Sequence, residues 1–140
     1  MPKEKLRVVL DTNIILAAAP EWSRHRVVID QLLENEYEAY VTTEILLEYE
    51  EKLRDFYGTE ITEIIMQVFT LLPNVKHQEI YYNLNIITHD ADDNKFVDCA
   101  FAANAHYIIT NDKHFNVLKR IDFPTIPLLK IQEFANLLNL

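Results

Sequence analysis

The sequence predicts an α/β protein in which a mainly parallel sheet is covered by helices on both faces. Three observations carry that reading. Short apolar runs of strand length alternate with longer segments of helical periodicity along the chain. Two of those runs lead into an aspartate, at Val-Val-Leu-Asp11 and Ile-Ile-Thr-Asn-Asp112, as strands do when they open onto a turn. Hydrophobic residues fill 49% of the 140 positions, enough for a packed core. No linker, repeat or low-complexity run interrupts the pattern, so a single domain over 1–140 is expected.

Leu6 to Leu10 reads as the first strand. Ser23 is placed to cap a helix, with Trp22 and Val27 at the positions of a hydrophobic staple, and Val27, Val28, Ile29, Leu32 and Leu33 carry that helix to about Glu36. Tyr37 to Thr42 is the second strand, and Thr42-Thr43 caps a helix that runs to about Tyr57. Gly58 stops it, and Thr59 opens another through Ile61, Ile64, Ile65, Val68 and Leu72. Pro73-Asn74 breaks that helix before a weak third strand, Val75 to Gln78. Asp90-Ala91-Asp92-Asp93 opens a helix lasting to about Ala105. Tyr107 to Thr110 is a short strand, followed after Asp112 by a loop or short helix. Pro124 to Leu129 suits an edge strand, where proline is tolerated, and Ile131 to Leu138 closes the chain as a helix.

The scarce residues exclude several chemistries. One glycine leaves no Walker A loop and no dinucleotide fingerprint. One serine, without flanking glycine, leaves no nucleophile elbow. One cysteine forms no internal disulfide and no thiolate zinc cluster, and Cys99 falls on an apolar helix side that suits the core. The five histidines form no His-x-His or His-x-x-x-His pair, so a zinc site is not expected. Carboxylates are plentiful: 22 Asp and Glu against 13 Lys and Arg give a net charge of −9. That balance opposes broad adhesion to nucleic acid but leaves room for a small basic rim around an acidic site. No signal peptide or membrane span fits the sequence, and a reducing cytoplasm is the expected compartment.

Ligands of an open parallel sheet bind outside the carboxyl ends of its strands, which is where Asp11 and Asp112 fall. Either alone would serve as a turn or cap residue. On the following helix, Asp93 shares an arc with Phe96, Val97, Ala100 and Ala103, whereas Asp98 points the opposite way, toward solvent. A carboxylate on a buried face needs a partner such as a metal ion, and Asp92 is the more natural cap. Glu48 lies at the margin of the stripe formed by Ile45, Leu46, Tyr49, Leu53 and Phe56, a position that also suits a solvated face.

In order, the pieces Val-Leu-Asp-Thr-Asn, Glu48, Asp-Ala-Asp-Asp-Asn-Lys-Phe and Ile-Ile-Thr-Asn-Asp resemble a PIN domain. More narrowly, they resemble the PIN-family toxins of toxin–antitoxin systems, relatives of VapC-type ribonucleases. The likeness spans nearly the whole chain, including the closing Pro-Leu-Leu-Lys-Ile-Gln-Glu-Phe. It implies a three-layer α/β/α PIN-like fold and a metal-dependent ribonuclease. By position, Asp11, Glu48, Asp93 and Asp112 match the family's catalytic, metal-binding acids, and Asp98 stands where relatives often carry a further acid. Thr12, Asn13 and Thr110 match its supporting polar residues. Asn111 replaces the family's usual Gly and Ala91 its frequent Pro.

Oxygen donors without a nitrogen or sulfur cage suit Mg²⁺ or Mn²⁺. RNA is the implied substrate, and an antitoxin protein and a homodimer partner are implied by the family. Trp22-Ser23-Arg24-His25-Arg26, with Lys95 and Lys113, offers cations and a stacking ring for an RNA rim, although the cap at Ser23 is a sufficient structural reason for part of it. Two other readings stand beside this one: a noncatalytic PIN-like binding module, and a receiver-type phosphoacceptor domain with acids at its strand ends.

Overall fold

In the computed structural model, which describes residues 4–87 and 91–139, the strands are β1 (Arg7–Leu10), β2 (Glu38–Val41), β3 (Val75–His77), β4 (Tyr107–Ile109) and β5 (Leu128–Leu129). They form one sheet in the order β3-β2-β1-β4-β5, and every neighbouring pair is parallel. Strands covered on both faces should read as continuous apolar runs. Val8, Val9, Leu10, Ile108 and Ile109 are accordingly fully buried at the centre.

Among the described residues the α-helices are α1 (Thr12–Ala18), α2 (Val27–Leu33), α3 (Thr43–Leu71) and α4 (Asn94–Ala102) between strands, and α5 (Ile131–Leu138) after the last one. The chain steps from β1 to β2 to β3 in one direction and returns across the sheet to β4. Right-handed connections then place α1, α2 and α3 on one face and α4 on the other. Packing agrees: α1 lies on α2 and α3, α2 lies on α5, and α4 lies on β1, β2 and β4. The order also corrects the receiver-type reading. Receiver-like sheets run 2-1-3-4-5, with β1 beside β3, whereas here β3 is an edge strand and β1 pairs with β4.

Other differences have local causes. The sequence assigned no element to Thr12–Ala18, yet Ile14, Ile15 and Ala18 bury one face of a short helix directly after β1. Ser23 does not cap α2, which starts at Val27. Its hydroxyl instead accepts from His25 N at 3.0 Å and donates to Ala17 O at 2.7 Å, shaping the turn before the helix. Trp22 is 86% exposed and forms no staple. The two helices expected on either side of Gly58 are both present; they meet at a kink at that residue and together make up α3. Thr42 caps α3 as expected, its hydroxyl accepting from Ile45 N at 3.2 Å. The helix expected to run to Ala105 ends at Ala102, and a 3-10 turn at Ala91–Asp93 precedes it. Its expected start at Asp90, like His89, lies outside the described residues. The Pro124–Leu129 strand contracts to Leu128–Leu129 at the sheet edge, with a cis peptide at Phe123-Pro124. Ile131–Leu138 is helical over the expected span.

Gly58 adopts φ 81° and ψ 176°, a region open essentially only to glycine. A Cβ there would meet no atom within 4 Å, so the backbone alone sets the cost of a side chain. Gly58→Ala is therefore expected to destabilise the fold by about 1–3 kcal/mol in urea denaturation.

Candidate metal centre

The sheet order reverses direction between β1 and β4, and the crevice outside their carboxyl ends is the usual ligand position in such sheets. Asp11 and Thr110 follow these strands directly. The ladder pairs Leu10 with Ile109 and continues as Asp11 N donating to Ile109 O at 3.0 Å. The Thr110 hydroxyl donates to Asp11 Oδ2 at 2.8 Å and accepts from Asp112 N at 3.0 Å, so one side chain locates both acids. Asp11 is only 4% exposed, because α1 starts at the next residue and closes over it.

Glu48 reaches the same edge from α3. The Tyr49 hydroxyl next to it donates to Leu10 O, which ties this turn of α3 to the residue before Asp11. The Thr12 hydroxyl donates to Glu48 Oε2, and Lys95 Nζ lies 2.7 Å from Glu48 Oε1. Both carboxylate oxygens are thus engaged, and Glu48 joins α1, α3 and α4. Asp93 and Asp112 meet from the other side. Asp112 Oδ1 accepts from His114 N at 2.9 Å and caps a 3-10 segment, Lys113–Arg120. His114 Nδ1 lies 3.4 Å from Asp112 Oδ1 and 3.8 Å from the buried Asp93 Oδ2. Among the described residues, Asp93, Asp112 and His114 form the group whose donor atoms all lie within 4.8 Å of one another.

Burial pushes the Asp11 carboxyl up to about 6, and the charges of Asp112 and Glu48 push the same way. The Thr110 hydroxyl and the Thr12 backbone N–H pull it down without offsetting the rise.

A PIN domain family model matches residues 7–114, from the start of β1 to His114. The chain belongs to the PIN domain family. An uncharacterized protein of Methanocaldococcus jannaschii is 33% identical over 121 residues, covering 81% of this chain and 75% of the relative. The crystal structure of VapBC2 from Rickettsia felis, bound to a DNA fragment from their promoter, superposes with TM-score 0.63 at 20% identity, covering 89% of this chain and 98% of that one. FitAcB from Neisseria gonorrhoeae superposes with TM-score 0.56 at 14% identity, with the same coverage of 89% and 98%. At these identities the two structures show a shared fold.

Within this PIN domain, Asp98 is a correction. It is buried rather than solvated, and its Oδ1 accepts from Leu84 N at 3.0 Å. Asn94, one turn earlier, donates to Ile87 O and accepts from Ile87 N, each at 2.8 Å. Together they fasten the extended chain before α4 onto that helix, and Asp98 stands apart from the Asp93–Asp112–His114 group. Burial raises the Asp98 carboxyl, with Glu44 adding to the rise and the Leu84 N–H opposing it.

The expected basic rim is only partly free. Lys95 turns inward to Glu48 and to Asp92 O, the latter at 2.9 Å. Arg26 donates to Ala19 O and pairs with Asp30 at 3.3 Å. Arg24, Lys113 and Asn13 are exposed. Cys99 is buried in the core, as expected. His114 was not among the expected site residues. Its signal lay two residues beyond Asp112, where Phe115 packs fully buried against Phe96 and anchors the turn.

A carboxyl held near 6 in the fold and near 3.8 when unfolded retains its proton longer in the native state. Native stability from Asp11 therefore falls as pH rises from about 4 through about 6. In EDTA at pH 7, Asp11→Asn is expected to stabilise the protein by at most ~3 kcal/mol, with little effect at pH 4, read from urea midpoints. Mn²⁺ should raise the wild-type Tm at pH 7 and leave that of the variant unchanged.

Proposed function

We propose that the protein is a Mg²⁺- or Mn²⁺-dependent endoribonuclease, the toxin of a toxin–antitoxin pair, acting in the cytoplasm. The carrying observation is the gathering of Asp11, Asp93 and Asp112, with Glu48 beside them, at the crevice between β1 and β4. Supporting it are membership of the PIN domain family and the shared fold with VapBC2 and FitAcB. The donor set fits the group: carboxylate oxygens predominate, and partial burial keeps them from being fully hydrated. Such an ion, when bound, would offset phosphodiester charge and lower the pKa of a water so that its hydroxide form is available for in-line attack.

The chain's own residues define the rest of the site. Asp11, Asp93 and Asp112 would hold the ion, with Thr110 fixing the direction of Asp11. Glu48, braced by Thr12 and Lys95, presents negative charge beside them. Asn13, exposed at the start of α1, is available to a bound strand. Asp98 is assigned to positioning the chain before α4 rather than to the ion. Arg24 and Lys113 are exposed cations for the RNA backbone, whereas Arg26 and Lys95 serve the fold and the acids. A cognate antitoxin and a second copy of the chain are the partners that the VapBC-like reading carries with it. Exposed Leu47, Phe56 and Ile64 along α3 offer apolar surface for one of them.

The test is cleavage of a mixed-sequence RNA by pure protein with and without Mn²⁺. Wild type should cut only with the ion, and Asp11→Asn and Asp112→Asn should each lose at least about a hundredfold. Folded wild type that binds RNA but never cuts it would favour the noncatalytic binding module. Arg24→Glu with Lys113→Glu should raise KM severalfold, most strongly at low salt, with little change in kcat. An unchanged KM would remove both residues from the RNA path.

A further inference from the structure

We propose that His114 is itself a ligand of the metal ion, through Nδ1, which makes the centre a mixed nitrogen–oxygen site that favours Mn²⁺ over Mg²⁺. The inference rests on the metal-dependent reading above and adds a donor that the carboxylate pattern of the sequence did not include.

Geometry is the first support. Two donors on one ion at about 2.1 Å stand about 3.0 Å apart when adjacent and about 4.2 Å apart when opposite. His114 Nδ1 lies 3.4 Å from Asp112 Oδ1 and 3.8 Å from Asp93 Oδ2, inside that range for both. Direct hydrogen bonds would be shorter, near 2.7–2.9 Å for a charged pair.

The second support is how the ring is placed. The His114 backbone N–H donates to Asp112 Oδ1, and the next residue, Phe115, is fully buried against Phe96. Phe96 stands on α4 three residues after Asp93, so the contact that seats Phe115 also brings His114 to Asp93. The ring is therefore positioned from both neighbours, although its side chain is 46% exposed. A ligating Nδ1 requires the ring proton on Nε2, the tautomer that an imidazole adopts when Nδ1 binds an ion.

Chemistry gives the selectivity. Mg²⁺ prefers oxygen and retains its waters, so a nitrogen donor adds little to its binding. Imidazole suits the later first-row transition ions best; Mn²⁺ also favours oxygen, but as a softer ion than Mg²⁺ it gains more from one nitrogen donor. The competing role for His114 is that of a cation paired with Asp93 and Asp112. The two roles predict opposite signs. A ligand removed weakens binding of the ion, whereas a competing cation removed strengthens it.

The experiment titrates the full-length protein with Mn²⁺ and with Mg²⁺ at pH 7.5, and records pulsed EPR of the Mn²⁺ form. Wild type should show ¹⁴N modulation from a directly bound imidazole. His114→Gln should lose that signal and bind Mn²⁺ at least about tenfold more weakly, with Mg²⁺ affinity changed less than about twofold. His114→Asp should recover binding without the nitrogen signal and reduce the preference for Mn²⁺. Saturable Mn²⁺ binding that Asp93→Asn abolishes, but with no ¹⁴N modulation or with undiminished affinity in His114→Gln, would overturn the assignment and leave the metal site standing. No saturable Mn²⁺ binding in wild type would overturn both.

Discussion

Burying an ionised carboxylate costs several kcal/mol unless something opposes its charge, and Asp11 is placed where that cost is unavoidable. It directly follows the central strand, α1 starts at the next residue, and β4 pairs alongside. The neighbouring polar groups are arranged around that constraint. Thr110 donates its hydroxyl to Asp11 and accepts the backbone of Asp112, so the strand pairing itself sets the spacing of two acids. Tyr49 fastens α3 to Leu10 O and so brings Glu48 to the same edge. None of these contacts brings enough positive charge to neutralise the group. Lys95 answers Glu48, but the carboxyl of Asp11 still rises to about 6.

That imbalance separates stability from function. A protein selected only for folding would gain from an amide at Asp11, since burial penalises its charged form and the charges of Asp112 and Glu48 add to that cost. Retaining the acid makes sense if a divalent cation completes the site. The same cation would relieve Asp93 and Asp112, which lie together with the His114 ring. Away from this edge, the strands carry the fully apolar pattern of a sheet covered on both faces.

How much of this was legible in the sequence follows from the range of each signal. Strands and α5 were visible because apolar period and flanking turn residues act within a few positions. Asp11 and Asp112 were visible because they follow strands, and parallel strands send their carboxyl ends to one edge. Thr12–Ala18 was not assigned because Asn-Ile-Ile-Leu-Ala-Ala is too short to show a helical period, and only contact with α2 and α3 selects its conformation. Asp98 was misread for a related reason. The helical wheel identified the face opposite Asp93, but not the extended chain whose Leu84 N–H covers that face. Lys95 read as a surface cation because its partner, Glu48, is far away in sequence on another helix.

The noncatalytic alternative meets its strongest objection in the same geometry. A binding module for RNA would gain from cations at the crevice, yet acids face one another there and Lys95 is spent on Glu48. Charge of that sign repels a phosphate backbone unless a cation stands between them. On the proposed reading a divalent ion stands there, because it relieves the repulsion among Asp11, Asp93 and Asp112 that folding alone leaves in place.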